Sequence, residues 1–413
     1  MVKEKVTVIY ERLSHLGLVA ILICSTPAMA AQPSPSLAEM LDAAVARNPG
    51  VELADAERNV GQALQRKAAQ PLSGDPTFNI KYQTDAVGSG SGYREWESGV
   101  ELPLWLPGQA GSYAREGEQA LSASDALLSA KRLDIAGEVR ERLWSALIAR
   151  GEAAQSQAAV EAANELFVDV QRRVEAGELP RSDRLLAEKT LLEHQESAEQ
   201  AKTRARQAAL LFDRYTGLDL PERPDQEQPL LEDQIGEDHP AMRLSQARVE
   251  QARARRDRVS SERRTGPSVW VGGKSAKAMA GSDYDSAIGV EISMPFGTGG
   301  HTAPALAEAE ASLTQAQVEA TATRLALEDE LARAALELER ARAATAQTER
   351  RSRLAEESLK LSRRAFSLGE TDLIRLLQAQ ADALAARHDL EIRQLELGQA
   401  VARLNQAQGV IPQ

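Results

Sequence analysis

The stretch YREWESGVELPLWLPGQ, residues 93–109, has a second version, YDSAIGVEISMPFGTGG, at residues 284–300. Both run Gly-Val-Glu, continue as apolar-polar alternation, and close on a proline, an aromatic and a glycine. A period of two is that of a β-strand with one apolar face, and proline at its end stops the ladder. Each stretch has an upstream partner. Phe78, Ile80 and Tyr82 alternate with Thr77, Asn79 and Lys81, and a second apolar run lies around Trp270. The intervening AVGSGSG and KAMAGSD supply the small residues of tight loops. Two hairpins are therefore expected, over 76–86 with 93–104 and over 267–277 with 284–295.

The doubling extends beyond the hairpins. Gly99-Val100-Glu101 recurs as Gly289-Val290-Glu291. Glu116, Glu118 and Leu121 recur as Glu308, Glu310 and Leu313, and Gly177 recurs as Gly369. Asn48-Pro49 and His239-Pro240 head the corresponding starts. The shared order and near-constant offset define two structural copies. The chain divides into residues 1–30, a first repeat over 31–217, an acidic Pro-rich linker over 218–238 and a second repeat over 239–413. Within each copy, proline-free, Ala-rich runs flank the hairpin: 50–70, 109–176 and 182–216, then 241–264, 305–368 and 372–408. A short apolar-periodic piece at 37–47 precedes the first. At 1.5 Å per residue the long helix of each copy is about 100 Å long, which suits a rod or a wall. Leu377 and Leu384, and on another stripe Leu390, Leu397 and Leu404, repeat every seven residues. That spacing favours knobs-into-holes packing against two neighbours.

Composition narrows the class. The 413 residues carry a net charge of −12, and only 4% are aromatic. That balance does not suit a nucleic-acid partner or a thick enzyme core. Lys3, Lys5 and Arg12, the apolar run Leu16–Cys24 and Ala28-Met29-Ala30 have the layout of a secretory signal cleaved after Ala30. Cleavage there would remove Cys24, the single cysteine. The acidic residues fall on helical faces beside Lys and Arg, where solvated ion pairs are expected, and no catalytic pair is assigned. The five histidines, His15, His194, His239, His301 and His388, lack ligand spacing, so neither metal nor cofactor is expected. Gly297, Gly299 and Gly300 lack the Gly-Lys-Ser/Thr ending of a phosphate loop.

Of 15 aromatics in the chain, Phe78, Tyr82, Tyr93, Trp96, Trp105, Trp270, Tyr284 and Phe296 gather in and beside the hairpins. Strands of about ten residues with alternating polarity and terminal aromatics are the pattern of a transmembrane β-barrel. Four strands cannot close one, and an open edge is not tolerated in lipid, so several chains must contribute. On this reading Phe78, Tyr82, Trp96, Val100, Trp105, Trp270, Val290 and Phe296 belong to the membrane barrel. Val290 and Glu291 are expected on opposite faces.

The export signal, the duplicated helix–hairpin–helix–helix order, the GVELPLW and GVEISMPF junctions and the LGETDLIRLLQAQ turn resemble the TolC family of outer-membrane efflux proteins, its heavy-metal CzcC-like branch as much as the drug branch. The resemblance implies a mainly α fold with a small β part. As a homotrimer it would form a 12-stranded outer-membrane barrel continuous with a long periplasmic α-helical barrel. It implies a passive exit duct with no enzymatic step. The partners would be a periplasmic adaptor (membrane fusion) protein, an inner-membrane pump of the RND type and outer-membrane lipid. A periplasmic structural coiled coil or adaptor, and a type I protein secretion duct, are the alternative readings. The resemblance puts the turns at Gly177 and Gly369 at the periplasmic tip, where the adaptor docks and the aperture closes, with Asp183 and Asp372 beside them. Where some members carry an acidic ring, this chain has Arg375 and Gln378.

Overall fold

Ser36 caps the first helix with a capping box. Its hydroxyl accepts from the Glu39 N–H at 3.2 Å while its own N–H reaches the Glu39 carboxylate at 2.8 Å, which satisfies two donors that the first helical turn leaves open. The computed structural model describes residues 35–223, 227–230, 234–296 and 300–413. The expected signal segment with His15 and Cys24, parts of the 218–238 linker, and Gly297 and Gly299 lie outside the described residues.

The first copy comprises α1 (Leu37–Arg47), α2 (Val51–Ala68), β1 (Thr77–Thr84), β2 (Arg94–Pro103), α3 (Gln109–Glu175) and α4 (Arg181–Thr216). The second comprises α5 (Pro240–Ser261), β3 (Ser268–Lys277), β4 (Asp285–Ser293), α6 (Ala303–Ser367) and α7 (Leu373–Ala407). With 67 and 65 residues, α3 and α6 each run about 100 Å. In each copy the long helix lies along two shorter ones: α3 along α2 and α4, α6 along α5 and α7. Helix α3 also packs on α5 and α7, which joins the copies.

The four strands form one antiparallel sheet in chain order. Strands β2 and β3 join the hairpins, with Val100 opposite Val271. The β1–β2 loop is organised by Asp85, whose carboxylate accepts from the hydroxyls of Ser91 at 2.6 Å and Ser89 at 2.8 Å. Those bonds, Ser91 first, hold its pKa at about 2.

The core is distributed along the helices. Around mid-length, Met40 and Leu41 of α1 pack with Val139, Leu143 and Trp144 of α3 and Phe212 of α4. A second cluster joins Leu331 and Leu338 of α6 to Ala400 and Leu404 of α7. A third joins Val170 of α3, Ala187 of α4, Phe366 of α6, and Leu373 and Leu376 of α7. Alanine fills many of these positions and allows helix backbones to approach closely. Beside the mid-length core, buried Arg140 grips Glu227 at 2.7 Å and donates to Gln406 Oε1 at 2.6 Å and the Val410 carbonyl at 3.1 Å.

Candidate functional site

The sheet has two chemically different faces, and the cross-strand register sorts them. One face carries the rows Phe78–Val100–Val271–Val290, Ile80–Ser98–Gly273–Ile288 and Tyr82–Trp96–Ser275–Ser286. The Tyr82 and Trp96 rings stack with centroids 4.4 Å apart. These side chains cover nothing within the chain: Phe78 is 68% exposed, Ile288 89% and Val290 67%. A contiguous apolar face of this kind needs an apolar surrounding. The opposite face carries Lys81, Glu95, Glu97, Glu101, Lys274, Asp285 and Glu291. Lys274 pairs with Glu95 at 2.7 Å and Lys81 with Glu97 at 3.6 Å. Strands β1 and β4 each have a single neighbour, so both edges of the sheet are open.

Among the residues expected in the barrel, Phe78, Tyr82, Trp96, Val100 and Val290 share the apolar face. Trp270 does not: its register partners are Glu101 and Glu291, so it stands on the carboxylate face. Trp105 lies beyond the end of β2, where its indole N–H donates to the Gln70 carbonyl at 2.9 Å and its ring meets Tyr113 edge-on. Phe296 follows β4 and is fully exposed.

The second candidate region is the pair of turns. Gly177 has φ +79° and Gly369 φ +75°, a conformation costly for any side-chain-bearing residue. Each closes a long helix with the same pair of bonds. Gly177 N–H donates to Val174 O and Glu178 N–H to Arg173 O; Gly369 N–H donates to Phe366 O and Glu370 N–H to Ala365 O. This is the Schellman pattern. The shared cluster of Val170, Phe366 and Leu373 brings both turns to the same end, and the Arg173 guanidinium lies 4.7 Å from the Phe366 ring centre. Asp372 caps α7, accepting from the Arg375 backbone N–H at 2.9 Å. Its carboxylate thus serves the helix start rather than the Arg375 guanidinium, which forms no ion pair among the described residues. Asp183 receives a 3.3 Å contact from the Ser182 hydroxyl. Gln378 lines a cavity of about 320 Å³ with Leu186, His194 and Ile374, between α4 and α7. The turns are thus brought together, while Asp183 and Arg375 are not joined within one chain.

The sequence reading missed the open flank of α6. Val318, Leu325, Leu336, Leu354 and Leu361 are all more than half exposed. The signal was present, since Leu354 and Leu361 repeat at seven, but it could not be told from an internal seam. No helix among the described residues is long and apolar enough to cross a membrane. That observation concerns helices and has no bearing on the sheet.

Residues 231–410, most of the second copy, match the family model described as outer membrane efflux protein. No curated protein sequence matches. Among solved structures, a membrane protein from Pseudomonas aeruginosa is 20% identical, with 90% of this chain and 93% of that chain covered at a TM-score of 0.70. The outer membrane protein VceC from Vibrio cholerae is 16% identical, with coverage of 90% and 96% and a TM-score of 0.70. The MtrE outer membrane channel of Neisseria gonorrhoeae is 19% identical, with coverage of 91% and 89% and a TM-score of 0.68. The fold is that of these outer-membrane channels over nearly the whole chain, and the second copy is similar in sequence to the outer membrane efflux protein family.

Proposed function

We propose that the chain is the outer-membrane channel of a tripartite efflux system, a passive duct that performs no bond chemistry. One observation carries this reading: a sheet with an exposed apolar face and two open edges is continuous with helices of about 100 Å. Open edges in lipid must be closed, and four strands from each of three copies give a twelve-stranded barrel with its carboxylate face toward water.

The helices support the same closure. Leu361, Leu354 and Leu336 on α6 are separated by 7 and 18 residues, counted back from the turn; Leu185, Leu192 and Leu210 on α4 are separated by 7 and 18, counted forward from it. The two helices run in opposite directions relative to that end. The exposed stripe of α6 therefore fits, leucine for leucine, the exposed stripe of a neighbouring copy's α4. A homotrimer with a periplasmic helical tunnel follows. A periplasmic adaptor would dock at the turns, and an inner-membrane pump, RND in type on the family resemblance, would supply the energy. In such a ring Arg375 stands in triplicate near the axis, and pairing with Asp183 of an adjacent helix would hold the aperture closed.

The test is a pair of charge substitutions one residue apart. Val290→Arg puts a cation on the apolar face and costs about 2–4 kcal/mol if that face meets mid-bilayer lipid. Glu291→Arg puts the same cation on the watered face and is tolerated. Trimer yield in outer-membrane extracts reads the difference, and equal yields would overturn the barrel.

A further inference from the structure

On the carboxylate face, Trp270 stands directly between Glu101 of β2 and Glu291 of β4. The next row on these strands is glycine throughout: Gly99 opposite Gly272 opposite Gly289. The indole leans along β3 onto that row. A Cβ at Gly99 would run into Cε2, Cζ2 and Nε1 of the ring, one at Gly272 into Cζ2 and Cη2, and one at Gly289 would stand 3.5 Å from Cζ3. The ring therefore spreads across three strands against glycine backbone and is partly exposed.

An aromatic laid over a glycine row stabilises a sheet by itself, which accounts for the indole but not for its flanks. Both lysines of this face are matched by Glu95 and Glu97, toward the hairpin loops. Glu101 and Glu291 form no ion pair among the described residues; the Glu291 carboxylate receives only a 3.5 Å contact from the Ser293 hydroxyl. A partly exposed ring between two uncompensated carboxylates attracts a cation through both the ring quadrupole and the charges. A small inorganic cation keeps its water and gains little from the ring. A quaternary ammonium gains from all three groups.

We propose that Glu101, Trp270 and Glu291 form a binding station for quaternary ammonium and similarly weakly hydrated organic cations, one per chain. Its position on the wall of a duct rests on the barrel reading above. The station lies where the strands meet the helices, so a cation leaving the helical tunnel would encounter it on entering the barrel.

The experiment uses the full-length purified trimer with its tryptophans replaced by 5-fluorotryptophan, and Trp270→Phe assigns the Trp270 fluorine resonance. Choline, titrated at constant ionic strength, shifts that resonance saturably and leaves Trp144 unmoved. The neutral isostere 3,3-dimethyl-1-butanol produces no saturable shift. Glu101→Gln combined with Glu291→Gln weakens choline about tenfold. A Trp270 resonance that ignores choline, that responds equally to the isostere, or that is indifferent to the two glutamines would reduce the indole to a filler of the glycine row. The isostere comparison does not use the double substitution, so it decides even if that variant misfolds. Step conductance in planar bilayers separates the two readings. A trimer that passes no current even when Arg375→Ala and Asp183→Ala release the aperture overturns the duct and the station's place on it. A conducting trimer with a silent Trp270 overturns the station alone.

Discussion

Helices α3 and α6 are copies of one element with opposite surroundings. Helix α3 buries residues along its whole length, from Gln109 to Val170, including Leu127, Val139, Leu143 and Trp144. Helix α6 buries eight, among them Leu331, Leu338 and Phe366. Both carry alanine-rich sequences of nearly equal length, so propensity does not separate them. Position does: α3 lies between α2 and α4 on one side and α5 and α7 on the other, whereas α6 packs chiefly on α5 and α7 and meets α3 and α4 only beside the turns, through Phe366. Duplication supplied two walls, and the second was left with a free flank that only another molecule can cover. Internal symmetry in sequence thus coexists with a strict division between an interior helix and a rim helix.

The largest expected effect breaks the interior helix. Arg140 is 3% exposed and holds Glu227, Gln406 and the Val410 carbonyl together; the equivalent position on α6 is Ala332. Arg140→Ala strands the Glu227 carboxylate beside the core, and removing one partner of a buried ion pair costs about 3–5 kcal/mol. Denaturant unfolding of the purified protein should show that loss.

Next comes the rim. Leu354 and Leu361 of α6 replace Ala162 and Asp169 of α3 and are exposed by 61% and 65%. If a neighbouring copy covers them, each contributes about 1.5–3 kcal/mol per interface, and Leu354→Glu with Leu361→Glu should leave unassembled chains on native electrophoresis. Intact trimers from that variant would remove the rim assignment of α6 and leave the contrast with α3 unexplained.

The difference between the copies was only partly legible in the sequence. Strand ends lie within two residues of the expected 76–86, 93–104, 267–277 and 284–295, because Pro71, Pro103, the loop glycines and Pro267 punctuate them. The long helices end at turns marked by Gly177 and Gly369, since few other residues accept that backbone. Period two yields two faces without saying which neighbours share a row, so the place of Trp270 between Glu101 and Glu291 was not legible before the register. Isolated glycines inside strands signal a close approach, and Gly99, Gly272 and Gly289 were that signal; using it required the register of three strands. Glu227 comes from a segment that reads as a Pro-rich linker, so its bond to Arg140 across 87 positions was beyond local pattern. Which of two similar helices forms the rim depends on the order in which the copies pack, and no local window records that.

A smaller effect sharpens the comparison at the turns. Asp372 caps α7, whereas the equivalent residue before α4 is Pro180, which offers no side-chain acceptor. Asp372→Ala should cost about 1 kcal/mol and loosen only the second turn. Hydrogen exchange should rise at the start of α7 and stay unchanged at the start of α4.

The smallest effect concerns the matching starts of the two copies. Asn48 accepts from the Gly50 N–H at 2.8 Å, and His239 accepts through Nδ1 from the Ala241 N–H at 3.2 Å. One bond is made by an amide that does not titrate, the other by an imidazole that does. His239 is buried against Gly409, and burial pushes its pKa below the ordinary value, only partly offset by a hydrogen bond to the Ala407 backbone. An unfolded chain therefore takes up this proton first, near the ordinary value of about 6.5. Stability from this site is complete above that pH and is lost as pH falls through it toward the lower folded value. Protonation of the folded chain, at the lower end of that interval, removes the Nδ1 acceptor and with it the cap of α5. His239→Asn gives the second copy the cap of the first. Near pH 8 its melting temperature should stay close to that of the parent, and between pH 7 and 5 it should decline less. His194, His301 and His388 remain in both proteins, so the difference between the two pH profiles isolates His239. Parallel profiles would mean that the imidazole keeps its ordinary pKa and that the two starts differ in composition but not in behaviour.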